Sequence, residues 1–293
     1  MNLIIKRKTL IKNILTVLKI FSIFSIVMFK KLSIQVYSDL HIELMKHFPQ
    51  IQPTAKYLFL VGDICQLNHP LFFKFFDYHS PLWKKIFYTP GNHEFYFKKK
   101  NYNQLDFEYD LKLKERYKNV FYLNRNSVPL NDEIDVYGSV FWTGSYDNRL
   151  NDYREINQFS EITKQNVPID YNFMKKISEE DLKSISNYLN KSTKKTIVMT
   201  HFPPVQDGTS NPVYFNQSQC LKDYFAWNNV LKDLNLTNVP LWLSGHTHWS
   251  YDILHNKNID NSNNIRLLSN QLGYKSEVGF TNIVGDGLFE IDL

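Results

Sequence analysis

Five short clusters hold most of the side chains able to do chemistry. They are Asp39-Leu40-His41, Gly62-Asp63, Gly91-Asn92-His93-Glu94, Thr200-His201 and Gly245-His246-Thr247-His248. Five of the nine histidines fall inside them. Carboxylate, imidazole and amide oxygen suit hard-to-borderline divalent cations such as Mn, Fe, Zn or Ni. The two cysteines, Cys65 and Cys220, show no metal-type spacing and read as reduced, mostly buried thiols. On a strand end, Asp39-x-His41 puts both side chains on one face, and an extended His246-x-His248 does the same. Asp39 and Asp63 have a blander reading as helix N-caps. His47, His69, His79 and His255 stand outside the clusters and read as core or surface residues.

The elements that must position these clusters are short apolar runs: Leu32–Tyr37, Tyr57–Val61, Lys85–Tyr88, Asn119–Leu123, Thr196–Thr200 and Pro240–Leu243. Their apolarity is continuous rather than alternating, as in strands covered on both faces. Each cluster follows such a run. Ligands of an α/β sheet bind beyond the carboxyl ends of its strands, so the clusters can converge from distant parts of the chain. Between the runs lie helical stretches: Leu71–Tyr78, Asn103–Lys118, Ser178–Lys191 with Ser178 as N-cap, and Gln217–Leu234. After residue 248 the pattern turns to short strands, at Ser250–Leu254, Ile265–Ser269, Thr281–Val284 and Leu288–Asp292, with a polar loop at Asn256–Asn264. Gly144–Asn172 lacks periodicity and reads as an inserted loop or lid. There is no repeat and no low-complexity linker, so residues 30–293 read as one domain.

Taken in order, DxH, GD, GNH[DE], H and GHxH resemble the calcineurin-like metallophosphoesterase superfamily, in its branch of small, bacterial-type single-domain proteins. The likeness runs from about Leu32 to Tyr274, with Glu94-Phe95-Tyr96, Ser269-Asn270 and Gly273-Tyr274 extending it. It implies an α/β fold, a four-layer sandwich of two mixed β-sheets flanked by helices. It also implies two divalent metal ions. Asp39, His41 and His248 would hold one, Asn92, His201 and His246 the other, and Asp63 would bridge them. His93 would not ligate but would stand near the leaving group as general acid. In such enzymes two cations about 3.5–4 Å apart polarise the phosphoryl group and acidify a water, whose hydroxide attacks phosphorus in line. The implied activity is hydrolysis of a phosphate mono- or diester of a small phosphorylated substrate. Two alternatives stay open: a nuclease of the same superfamily, and a non-catalytic metal-binding scaffold.

The formal charge of +5 comes from the N-terminus. Lys6, Arg7, Lys8, Lys12 and Lys19 carry it, and the remainder has 29 basic against 29 acidic residues. A neutral body lacks the basic stripe of a dedicated nucleic-acid binder. Residues 1–29 are apolar and basic. The run from Ile20 to Phe29 is shorter than the roughly 20 residues a bilayer span needs. The segment reads as an extension ahead of a start at Met28, as a membrane anchor, or as a cleaved signal. Cysteine usage suggests the cytoplasm, with membrane association through residues 1–29 as the alternative. Arg149 and Arg154 are candidate phosphate contacts as bidentate donors, and Trp142 is a candidate stacking ring. Solvated loop charges and core packing are the competing readings.

Overall fold

The structure is a computed structural model and describes residues 31–145, 147, 149–214, 217–256, 264–277 and 285–292. Ser33–Phe289 forms one compact unit, and the chemistry-bearing residues all belong to it.

Along the chain the strands are β1 (Lys31–Tyr37), β2 (Tyr57–Val61), β3 (Lys85–Thr89), β4 (Val120–Tyr122), β5 (Asn126–Pro129), β6 (Ile134–Ser139), β7 (Asn157–Ser160), β8 (Gln165–Pro168), β9 (Lys195–Thr200), β10 (Leu241–Leu243), β11 (Tyr251–Asn256), β12 (Asn264–Ser269) and β13 (Leu288–Asp292). The α-helices are α1 (Leu71–His79), α2 (Tyr102–Arg116), α3 (Asp152–Glu155), α4 (Tyr171–Lys191) and α5 (Gln219–Phe225).

One sheet runs β1-β2-β3-β4, all parallel, with the last strand entering beside β1 through the Val36 N–H bond to the Gly287 carbonyl. The second runs β11-β12-β10-β9-β6-β5, parallel in its centre and antiparallel at both edges. Alternation divides the faces. Leu58 and Leu60 of β2 pack with Phe72, Phe75 and Phe76 of α1 and Tyr109 and Leu113 of α2. Their neighbours Phe59 and Val61 are equally buried, on the other face. In the second sheet Val198 and Trp242 pack with Ile185 and Leu189 of α4, while Ile197, Met199, Leu241 and Leu243 turn the other way. The result is the helix–sheet–sheet–helix sandwich implied by the resemblance. At Gly138 of β6 the sheets touch: a Cβ there would fall 2.3 Å from Thr89 Oγ1 of β3.

The central strands match their apolar runs within about a residue, which is the usual uncertainty of an element's end. Four readings need correction. Helix α4 starts at Tyr171, not near Ser178, because Asp170 accepts the Phe173 N–H at 2.8 Å and is the true N-cap. Ser178 lies inside the helix and is buried. The stretch Gln217–Leu234 is not one helix: α5 ends at Phe225, and Asn229 at φ 52° sets off a separate 3-10 turn at Val230–Asp233. Gly144–Asn172 is not structureless, since it carries α3 and the antiparallel hairpin β7–β8. Finally, β5 and β6 had no compositional signal. Strand β6 exists because all six of its residues pair with β9.

The readings of residues 1–29, of strand Thr281–Val284 and of most of the loop Asn256–Asn264 lie outside the described residues. Among the described residues no helix is long and apolar enough to cross a membrane. Cys65 is a buried free thiol, and Cys220 is partly buried with its Sγ 3.8 Å from the Ser145 hydroxyl.

Candidate metal centre

The five clusters leave the carboxyl ends of β1, β2, β3, β9 and β10 and meet at one point. The turns lock together through the backbone. Asp39 N–H donates to the Gly62 carbonyl at 3.0 Å, His41 N–H to the Asp63 carbonyl at 2.9 Å, and Gly245 N–H to the His201 carbonyl at 2.9 Å. Gly62 shows why side-chain-free residues recur here. Its φ is +84°, and a Cβ would fall 2.2 Å from His201 Nδ1.

The seven side chains expected as metal ligands are all brought together. Asp63 sits at the middle, 2 % exposed. Its Oδ1 lies 3.4 Å from His201 Nε2, and its Oδ2 lies 3.8 Å from His41 Nε2. Asp39 Oδ1 lies 3.5 Å from His248 Nε2, and both Asp39 oxygens accept the His246 N–H at 3.1 Å. His41 Nε2 faces His248 Nε2 at 3.0 Å, and His201 Nε2 faces Asn92 Oδ1 at 3.1 Å. Among the described residues, donor atoms converge in three overlapping sets: Asp39, His41 and His248; Asp39, Asp63 and His201; His41, Glu43 and His93.

Behind these atoms a second layer fixes the rings. His201 Nδ1 donates to the Val61 carbonyl at 3.0 Å, and His248 Nδ1 to Glu277 Oε2 at 2.5 Å. His41 Nδ1 and His93 Nδ1 both reach Glu43 Oε1, at 3.3 and 3.1 Å. Each contact leaves Nε2 for the centre, the arrangement typical of metal-bound imidazoles. Glu94 braces the turns from below. Its carboxylate accepts the N–H groups of Gly91, Asp63, Ile64 and Cys65 and the Tyr88 hydroxyl.

The electrostatics fit a cation site. Burial disfavours the Asp63 carboxylate, yet His201 and His93 hold its pKa well below the ordinary value. Burial lowers the His248 and His201 pKa values, but Asp39 and Asp63 outweigh it and raise them, to about 10 and about 9. His246 is the exception. Burial and the neighbouring His201 push its pKa well down, and its Nε2 is buried without a hydrogen-bond partner. An orphaned buried acceptor costs stability unless something binds it. Carboxylates, neutral imidazole nitrogen and an amide oxygen fit divalent cations by chemistry as well as by position.

His93 stands beside the ligands. Its Nε2 lies 3.9 Å from Asp63 Oδ2 and 3.2 Å from the Tyr274 hydroxyl. A cavity of about 220 Å³ opens over the centre, with walls that include Asn92, His93, Tyr96, Tyr224, His246 and Tyr274.

The expected substrate contacts lie elsewhere. Trp142 is 1 % exposed and packs among Phe95, Tyr102 and Phe202, so its ring cannot stack on a ligand. Arg149 pairs with its near neighbour Asp147 in solvent, and Arg154 with Asn151. Neither lines the cavity described above. Conversely, Glu43, Asp152, Tyr224, Tyr274 and Glu277 line or brace the centre without having been assigned a role from sequence. Glu43, two residues beyond His41, had the only local signal. His79 is a neutral core residue, donating to the Phe75 carbonyl and accepting the Ile51 N–H.

Fold and centre together define a two-sheet α/β sandwich that carries a cluster of side chains able to hold metal ions. The sequence profile of the calcineurin-like phosphoesterase family matches residues 32–250. An uncharacterized protein of Acanthamoeba polyphaga mimivirus is 32 % identical over 239 residues, covering 75 % of this chain and 79 % of that protein. The crystal structure of phosphopantetheinyl hydrolase from Mycobacterium tuberculosis superposes with a TM-score of 0.63 at 14 % identity, covering 89 % of this chain and 96 % of that one. At that identity the likeness shows the fold. The chain belongs to the calcineurin-like phosphoesterase family.

Proposed function

We propose that this protein hydrolyses a phosphate mono- or diester of a small molecule, using two divalent cations. One observation carries the reading. The two oxygens of Asp63 face different donor sets, Oδ2 toward His41 and Oδ1 toward His201. Asp39, His41 and His248 would hold one cation, and Asn92, His201 and His246 the other. When bound, such a pair polarises the phosphoryl oxygens and supplies an acidified water as nucleophile.

The remaining work falls to the chain's own groups. His93 would supply the proton beside the centre. Burial alone would lower its pKa, but Asp63 and Glu43 outweigh burial and raise it to about 9. Glu43 holds the ring through Nδ1, and Nε2 lies at the cleft wall within hydrogen-bond reach of the Tyr274 hydroxyl, where it would meet a leaving oxygen that needs a proton. Tyr96, Tyr224 and Tyr274 wall the cleft with rings that limit water.

The test is turnover with added manganese of an aryl monophosphate, a bis-aryl phosphate and single-stranded DNA. Native protein should cleave at least one small ester. Asp63→Asn should lose bound manganese and activity together. Stoichiometric manganese without turnover of any substrate would instead mark a binding scaffold, and cleavage confined to DNA would mark a nuclease.

A further inference from the structure

Asn92 is the one amide among ligands otherwise built from carboxylates and imidazoles. An amide can present either end, and only its oxygen binds a cation. The Nδ2 group of Asn92 donates to Asp152 Oδ1 at 2.9 Å and to the Tyr96 hydroxyl at 3.0 Å. With the NH₂ engaged there, Oδ1 points into the centre. Asp152 is 1 % exposed and also accepts the Tyr96 hydroxyl at 2.5 Å. Burial and the nearby Asp152 carboxylate raise the pKa of the Tyr224 phenol, which stands on the same side of Asn92. Three separate parts of the chain thus converge behind one ligand: the turn after β3, helix α3 and helix α5. Asp152 lies in none of the five motifs.

We propose that Asp152 is a positioning residue that fixes the Asn92 amide with its oxygen toward the centre and thereby sets the affinity of one cation position. The proposal rests on the two-cation reading above. Its physics is that of a switchable donor. A carboxylate is acceptor-only, so it can meet the NH₂ end of Asn92 and never the oxygen. Without that anion the amide can turn. Its NH₂ then hydrogen-bonds His201 Nε2, and the ligand pair becomes a donor–acceptor pair that leaves no place for a cation. Asp39, His41 and His248 make no contact with Asp152, so the other position is spared.

Manganese titration of metal-free protein separates this from a bracing role for a buried carboxylate. Native protein should bind two cations. Asp152→Asn should weaken one of them by about 10–100-fold, as outer partners of metal ligands do, and leave the other unchanged. The decisive comparison uses Asn92→Asp. That change sets two carboxylates against each other, so adding Asp152→Asn, which restores a donor, should tighten binding instead of weakening it. A bracing role predicts the same penalty in both backgrounds. Should Asp152→Asn fail to fold, Tyr96→Phe removes one acceptor of the Asn92 NH₂ and should weaken the same single position. Native protein that binds no manganese overturns the two-cation reading itself. Two cations bound natively, with equal loss at both positions, no loss, or no reversal in the Asn92→Asp background, overturns only the role of Asp152.

Discussion

Asp39, His41, Asp63, His246 and His248 hold φ between 46° and 72°, and they are five of the nine non-glycine residues with positive φ among those described. Such backbone costs on the order of 1–3 kcal/mol per residue and persists only where the surroundings over-determine it. Here the turns are bonded to one another and braced by Glu94, so the candidate ligand atoms are held at close range. His93 has ordinary backbone, and the proposed function gives it the role of proton donor rather than of ligand. His93→Gln should therefore keep both cations, measured by elemental analysis, and lower kcat by about 10²–10⁴-fold, the usual worth of a positioned proton donor. Loss of bound metal in that variant would make His93 a ligand and sink its assignment as acid. At this scale the sequence was informative because ligand chemistry is written in residue type and short spacing. Glu43 offered only the local hint of His41 two residues before it, and Asp152 and Glu277 were not legible, since their partners lie far away in sequence and only folding brings them within reach.

Helix α1 ends at His79, whose imidazole is fully buried with both nitrogens bonded to backbone. Burial lowers its pKa to about 4. The unfolded chain, with an ordinary value near 6.5, takes the proton more readily. The neutral ring's contribution to stability is therefore complete above pH 6.5 and is lost as pH falls toward 4. By pH 5 the loss should reach about 2 kcal/mol. His79→Gln should be less stable than the native protein at pH 7.5, yet the gap should narrow as urea melts are repeated down to pH 5. A constant gap would mean that His79 does not titrate between the folded and unfolded states in this way. Element by element, the central strands were readable because both of their faces are covered, which leaves a continuous apolar run. Strand β6 was hidden because Asp135, Gly138 and Ser139 dilute it. Its identity comes from pairing with β9 rather than from composition.

For the whole molecule, convergence of the clusters depends on how closely the two sheets meet, since three clusters leave one sheet and two leave the other. Gly138 sits at that contact. A methyl group there would fall 2.3 Å from Thr89 Oγ1 and 2.4 Å from Leu123 Cβ. Thr89 is buried and its hydroxyl is tied to the Leu123 carbonyl at 2.8 Å, so neither neighbour yields easily. Gly138→Ala should cost about 1–3 kcal/mol, the range for overpacking. It should also weaken manganese binding, because β3 delivers Asn92 and β9, the neighbour of β6, delivers His201. Thermal unfolding and manganese titration of the variant would check both; full stability with native affinity would show that the sheet contact is plastic.

Read alone, the chain's residues determined the family, the candidate donors and the strand that delivers each of them, because those depend on residue type, short spacing and order along one dimension. Tertiary structure alone decided which neighbours serve the donors. It buried Trp142 in the core, left Arg149 and Arg154 paired in solvent, and brought Asp152, from a segment that reads as a loop, behind Asn92. Burial and hydrogen bonding are properties of points in space, and residues 60 apart, as Asn92 and Asp152 are, become neighbours only once the sheets have closed.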